Sequence, residues 1–502
     1  MFSSSLPQQS DVTSLRFFRR AATLAHEEDF SSSAHLYRAA SRLPSGKSVW
    51  QWKPLGFCPT VFPDVTTLEH YWQRLHSGLD LALSSSISVD WRTLPIDGFF
   101  PSFHLPHHNR SCKTVREKFC RIFASAFPHA LPPVPINPYN NKGRWRLGFH
   151  ALHGHEGGFL RGTAGLINAL DKKRFDIFVF VPAVSIEHCK RTIKSEGVTF
   201  VPLGGSFEAV VEQVRRTSCH LLYYRKVGSD AWSYFFPFAR CAPIQVTSYG
   251  THGTSGVNTV DYFLSSTYVE PENGQDYYTE KLFTLNALPT YQPRLPRLAT
   301  PVSRSEFNLP AHGALYFCPH RTSKYHPGFD PIIKAIAERD PDGHFVLLLG
   351  HDEKGRKLLH ERLKQNLGET IYKRIYFYSF FPFEKYCRLL SLATCLLDSP
   401  VYAGGLTSFD AFSYGIPEVT LSGSLHVQNF TTGIYRRMGL EHLPCATLNE
   451  YLDRAVRLGT EPEYRHSVSL DIESRSNTIF GTPEVISEHE RFFESVCNEL
   501  RL

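Results

Sequence analysis

From residue 144 onward the chain alternates two patterns. Short unbroken apolar runs, as in buried parallel strands, fall at 146–150, 175–181, 199–203 and 221–224. Between them, at 159–170, 186–196 and 207–216, apolar residues recur at three- and four-residue spacing, as on one face of a helix. Further short strands are predicted at 244–249, 260–265 and 281–285. The stretch 286–303 carries Pro289, Pro293, Pro296 and Pro301 and reads as a linker, because proline fixes φ and removes a backbone donor. The alternation then restarts, with strands at 315–318, 345–349, 375–379 and 395–397 and helices at 329–338, 354–367 and 383–393. Strands alternating with helices predict parallel sheets, so the reading is α/β with two Rossmann-like domains facing a cleft. An amphipathic helix at 485–500 closes the chain.

Ahead of these domains the pattern is helical. Small and apolar residues between 15 and 44 outline a helical hairpin broken at Glu28-Asp29-Phe30, and its small-residue pattern is similar to one tetratricopeptide unit. Helices at 67–83 and 112–127 follow, separated by a loop rich in proline and histidine at 101–110. Four prolines within 131–138 exclude helix and central strand and mark a second linker. The expected domains are therefore a helical hairpin over 1–64, a helical region and linker over 65–140, a first Rossmann-like domain over 141–290 and a second over 304–502.

Composition narrows the function classes. An apolar fraction of 42% over 502 residues is enough for several packed cores. A formal charge of +6, with both signs interspersed, argues against a nucleic-acid surface. Eleven cysteines without a C-x-x-C pair suit reduced, buried thiols, hence a cytoplasmic expectation. No window approaches an uncharged apolar stretch long enough to span a membrane, and no P-loop, dinucleotide fingerprint or nucleophile elbow occurs.

The richest chemistry lies in 396–417. The apolar run ending at Leu397 leads into Gly404-Gly405 and then to Thr407 at the start of a short helix. Glycines permit close backbone approach, and the first amides of a helix point outward at its positive dipole end, which suits a phosphate. Asp410, one turn on, can reach the hydroxyls of an attached sugar. The same residues also fit a capping box, in which Thr407 and Asp410 serve only the helix's own amides. At the end of the first strand of the second domain, Lys324 is set to meet a departing diphosphate as a compact charge, or is a solvated loop lysine. His150, His153 and His155 crowd the end of the first strand of the first domain; without partner ligands they make a poor metal site. His155 is instead placed for binding or proton handling, or is a histidine held in a glycine loop.

Together these stretches resemble glycosyltransferase family 41, the protein O-GlcNAc transferases and their bacterial tetratricopeptide-containing relatives. The resemblance is carried by 318–330, 397–417, 436–440 and 242–256 with Val260-Asp261-Tyr262. It implies a GT-B fold and an inverting, metal-independent glycosyltransferase that uses no cofactor. The donor would be a nucleotide sugar, UDP-N-acetylglucosamine, and the acceptor a serine or threonine hydroxyl of a protein. By the same resemblance Lys324 holds the donor diphosphate, Thr407 and Ser408 meet phosphate with Gly404 and Gly405, and Asp410 takes the ribose. His155 stands near the family histidine of the first-domain loop, Tyr386 where the family has a histidine beside the uracil, and Arg321 where glutamine is usual in the animal enzymes. Gly405-Leu406-Thr407 replaces His-Thr-Thr. Residues 244–248 are also similar to bacterial cytoplasmic N-glycosyltransferases that modify asparagine from UDP-glucose, and the departures leave open a catalytically silent scaffold.

Overall fold

Each apolar run of the α/β part becomes a strand, and all pairings are parallel. A computed structural model describes residues 9–127, 143–151, 154–194, 196–350 and 352–501. The first sheet comprises β1 (Trp145–His150), β2 (Phe175–Pro182), β3 (Val198–Leu203), β4 (Leu221–Tyr224), β5 (Ile244–Ser248), β6 (Tyr262–Ser266) and β7 (Lys281–Leu285), in the order β3-β2-β1-β4-β5-β6-β7. The second comprises β8 (Leu315–Cys318), β9 (His344–Leu348), β10 (Ile375–Tyr378), β11 (Cys395–Leu397) and β12 (Glu418–Val419), in the order β10-β9-β8-β11-β12. Every residue of β4, β5, β8 and β11 is buried, as strands covered by helices on both faces must be, whereas the edge strands β3 and β10 are mixed.

In both sheets the chain first builds outward on one side and then returns to the other. The order therefore reverses between β1 and β4, and again between β8 and β11. At such a switch point the loops leaving the carboxyl ends diverge and open a crevice, where ligands of open α/β sheets bind. Both switch points contribute to one cavity, described below.

Two boundaries differ from the expectation. Helices Gln9–His26 and Phe30–Ser41 form the hairpin, and Val65–Leu83 and Lys113–Phe123 follow. Rather than standing apart, these segments share a core with the first sheet: Trp50, Trp72, Phe119 and Phe123 pack in one apolar cluster with Phe180, Leu222 and Phe235. The proline-rich stretch 131–138 lies outside the described residues. At the other end, helix Pro483–Asn498 does not stay with the second domain as 304–502 supposed. Phe492, Phe493, Val496 and Cys497 are buried in the core of the first sheet beside Phe149, Phe175 and Tyr223, and Arg174 donates to Glu490 at 2.6 Å. Burial of that apolar face decides where the helix goes. All eleven cysteines are buried, and none forms a disulfide.

Candidate functional site

A cavity of about 320 Å³ opens where the two switch points meet. From the second domain come Arg321 and Lys324 after β8, and Tyr402, Gly404, Gly405, Leu406 and Thr407 after β11. The first domain supplies Gly158, from the helix after β1, with Arg225 and Lys226 after β4 and Tyr249, Gly250 and His252 after β5. Phe430, His426 and Val427 complete the wall.

Lys324 ends the single turn Thr322–Lys324. Its ammonium stands 4.1 Å from the centre of the Tyr402 ring, a cation–π contact that holds it over the cavity. The Ser399 hydroxyl donates to the Lys324 carbonyl at 3.1 Å and ties the β8 loop to the β11 loop. Burial pulls the ammonium pKa down to about 8, with Asp398 opposing and Arg321 adding to the fall. The site therefore holds a positive charge that is short of solvation and gains strongly from an anion.

Beneath the glycine loop lies a buried acidic pair the sequence reading did not single out. Asp398 is fully buried, accepts from the Thr420 hydroxyl at 2.9 Å, and has its pKa pushed by burial up to about 6. Glu418 is buried beside it and raised well above the usual carboxylate range, by burial first and then by Asp398. Only their position at the ends of β11 and on β12 hinted at them, since two carboxylates from separate strands become neighbours through the sheet.

The helix after the loop spans Leu406–Ser413 and is capped by Gly405, with no side-chain cap. The capping-box alternative is thereby corrected: Thr407 faces the cavity, and Asp410 turns to another partner. Gly404 has no room for a side chain. A Cβ there would collide with the Ser408 hydroxyl and come within 3.0 Å of Glu418 Oε1 and 3.1 Å of Thr431 Oγ1.

Not every expected site residue reaches the cavity. Ser408 is buried, its hydroxyl 3.0 Å from that of Thr431, and its amide donates to the Gly405 carbonyl at 3.1 Å, so neither group faces the space. Asp410 is 2% exposed, and its Oδ1 accepts from Arg161 of the first domain, with the Tyr386 hydroxyl also beside the carboxylate. Burial raises its carboxyl pKa to about 6 despite the opposing Arg161 charge. Arg161 also donates to the Leu406 carbonyl at 3.3 Å, so this one side chain bridges the two domains. Tyr386 is not presented for base stacking: it is 7% exposed, packed against Phe317 and Phe383, with its buried hydroxyl turned to the Asp410 carboxylate. His155 precedes helix Glu156–Ala169, and its Nε2 is 3.6 Å from Asp230 Oδ2. Burial, then Lys226, lowers its pKa and favours the neutral ring. His150 stacks on Phe236 at 4.7 Å, and His153 lies outside the described residues. Among the described residues no group of three or more His, Cys, Asp or Glu could hold a metal ion, and no helix is long and apolar enough to cross a membrane.

Arg225, Lys226, Tyr249 and Phe430 line the cavity without having been foreseen. The arginine and lysine follow an apolar strand at a carboxyl end, which is the one local signal they carried.

Comparisons with known proteins agree with this architecture. Residues 292–484 match the family model of Glycosyl transferase family 41. A probable UDP-N-acetylglucosamine–peptide N-acetylglucosaminyltransferase SEC of Arabidopsis thaliana is 24% identical over 405 residues, which covers 76% of this chain and 40% of that protein. The SPINDLY protein of Solanum lycopersicum, named as the same probable activity, is 25% identical over 256 residues, or 50% of this chain and 26% of its own length. The chain thus spans less than half the length of these relatives. A solved O-GlcNAc transferase mutant from Thermobaculum terrenum superposes with a TM-score of 0.68 at 20% identity, over 98% of this chain and 91% of that one, and gives the fold as GT-B. The family model of glycosyltransferase family 41 thus matches residues 292–484, within a chain whose two parallel sheets have the fold of a GT-B protein.

Proposed function

We propose that this cavity binds a nucleotide sugar and that the chain is an inverting glycosyltransferase acting on protein hydroxyls, with UDP-N-acetylglucosamine as the donor. The observation that carries the reading is Lys324, poorly solvated on the Tyr402 ring, opposite the Gly404-Gly405 loop and the helix start at Leu406. In the proposed reaction the acceptor serine or threonine oxygen attacks the anomeric carbon from the face opposite the diphosphate. The bond from that carbon to the diphosphate oxygen breaks, and its electron pair leaves with UDP. Lys324 and the outward amides at Leu406 and Thr407 take up the growing charge, so the step requires no metal. The neutral ring of His155, three residues before the cavity-lining Gly158, would receive the acceptor proton. Asp410 would exchange the Arg161 contact for the ribose hydroxyls. The activity for which the relatives are named supports the same donor and a peptide acceptor.

Two observations favour a second reading, a scaffold without catalysis: Asp410 is already paired and Tyr386 is packed away. A UDP titration followed by thermal unfolding separates the two. A ligand at a hundred times its dissociation constant stabilises the fold by about 2.7 kcal/mol. No shift at millimolar UDP would favour the scaffold. If UDP binds, radiolabelled UDP-N-acetylglucosamine and UDP-glucose offered with serine, threonine and asparagine peptides decide the sugar and the acceptor atom.

A further inference from the structure

Arg225 and Lys226 are the first two residues beyond β4, so both leave the sheet where its strand order reverses. Arg225 is only 6% exposed, yet it lines the cavity. Its guanidinium lies 3.9 Å from the centre of the Tyr249 ring, and its Nε and Nη1 are buried without a hydrogen-bond partner. An arginine stays charged at any ordinary pH, and a buried charge left unpaired is costly, so a fold that keeps one has a use for it. Space has been set aside as well: a Cβ on Gly162 or on Gly250 would run into this guanidinium. Two glycines from separate elements are therefore committed to one side chain.

The arginine is also coupled to the phosphate loop. Tyr249 stacks on Phe430 at 5.2 Å and 25°, and the Phe430 ring is the nearest neighbour, at 4.0 Å, of a Cβ placed on Gly405. One ladder of rings thus runs from Arg225 to the glycine loop, with cationic groups at both ends of the same cavity. None of the described residues lining it is a carboxylate. Arg321, Lys324 and the helix start already match a diphosphate, which leaves the charges on the first-domain wall without a counterpart in the ligand.

We propose that Arg225 and Lys226 form a carboxylate subsite, so that the ligand beyond the diphosphate carries a carboxylate, either on the transferred sugar or on an acidic side chain beside the acceptor residue. The planar guanidinium offers parallel N–H donors that a carboxylate accepts in pairs, and Lys226 adds a point charge. The inference rests on the nucleotide-sugar reading of the cavity; its acceptor form keeps N-acetylglucosamine as the transferred sugar, whereas its donor form replaces that sugar by an acidic one.

The test is calorimetric binding to the full chain, its Arg225→Met variant and its Arg225→Lys variant. UDP alone and the pair UDP-glucose and UDP-glucuronate probe the donor; serine peptides flanked by glutamate or by glutamine, at saturating UDP, probe the acceptor. In at least one pair the carboxylate member should bind wild type about ten- to a hundredfold more tightly. That preference should vanish in Arg225→Met and persist in part in Arg225→Lys. A preference in the donor pair assigns the carboxylate to the sugar, and one in the peptide pair assigns it to the acceptor. Arg225→Met should melt no lower than wild type, because an unpaired buried charge is removed; should it melt far lower, Lys226→Met carries the binding test in its place, and a preference undiminished in that variant overturns the proposal. No preference in either pair, or one that survives in Arg225→Met, overturns the carboxylate subsite. So does a loss of affinity for UDP itself in that variant, which would give the arginine to the diphosphate. Failure of wild type to bind UDP at all is a different result, since it removes the nucleotide-sugar reading and this inference with it.

Discussion

At Lys324 desolvation and electrostatics oppose each other: burial drives the ammonium toward neutrality, while Asp398 and Glu418 favour its charge. An incoming diphosphate shifts that balance toward charge, and most strongly once the glycosidic bond is breaking. Lys324→Ala should therefore lower single-turnover sugar transfer by about a hundredfold to a thousandfold and weaken UDP binding far less. Equal transfer rates in the two proteins would remove the lysine from the mechanism. Asp410 gives a pH test. Burial raises its carboxyl pKa to about 6, above the ordinary aspartate value of 3.8, so between those values the native carboxyl holds a proton the unfolded chain has lost. Stability therefore falls as pH rises through that window and levels off above it. Asp410→Asn lacks this loss, so its melting temperature relative to wild type should climb from pH 4 to pH 7, by on the order of 2–3 kcal/mol in stability. The same variant should bind UDP about tenfold more weakly, since a carboxylate accepts from ribose hydroxyls more strongly than an amide. A flat difference across pH would mean that Arg161 alone sets the state of Asp410.

The loop-and-helix element after β11 works through two glycines with different duties. Gly404 sits against Ser408, Glu418 and Thr431, so an added methyl group has nowhere to go. Gly405 is extended, with a φ of −178°, and faces open space apart from Phe430 at 4.0 Å. Gly404→Ala should therefore cost about 1–3 kcal/mol in denaturant unfolding and abolish UDP binding, whereas Gly405→Ala should fold normally. Comparable unfolding midpoints for the two variants would show that the loop relaxes around Gly404. The element was legible beforehand because an apolar run, a glycine pair and a threonine are local signals. Its buried floor was not, since Glu418 arrives from β12 and Thr431 from the segment beyond it.

At the scale of the whole molecule the two ends of the chain converge on the first sheet. Phe493 is fully buried against Phe149, Phe175 and Tyr223, more than 250 residues away in sequence from the nearest of them. Phe493→Ala should destabilise by about 3–5 kcal/mol, and the loss should appear as early unfolding of the first domain in hydrogen exchange rather than of the second. The α/β alternation, the parallel sheets, the glycine loop and the position of Lys324 all follow from short stretches of sequence, because strand burial and backbone freedom are properties of neighbouring residues. The docking of helix Pro483–Asn498, the Arg161–Asp410 bridge, the burial of Tyr386 and the cradle of Gly162 and Gly250 around Arg225 do not. Each is made by residues far apart in the chain, and only burial in the folded molecule decides which charges keep a partner and which are left facing a ligand.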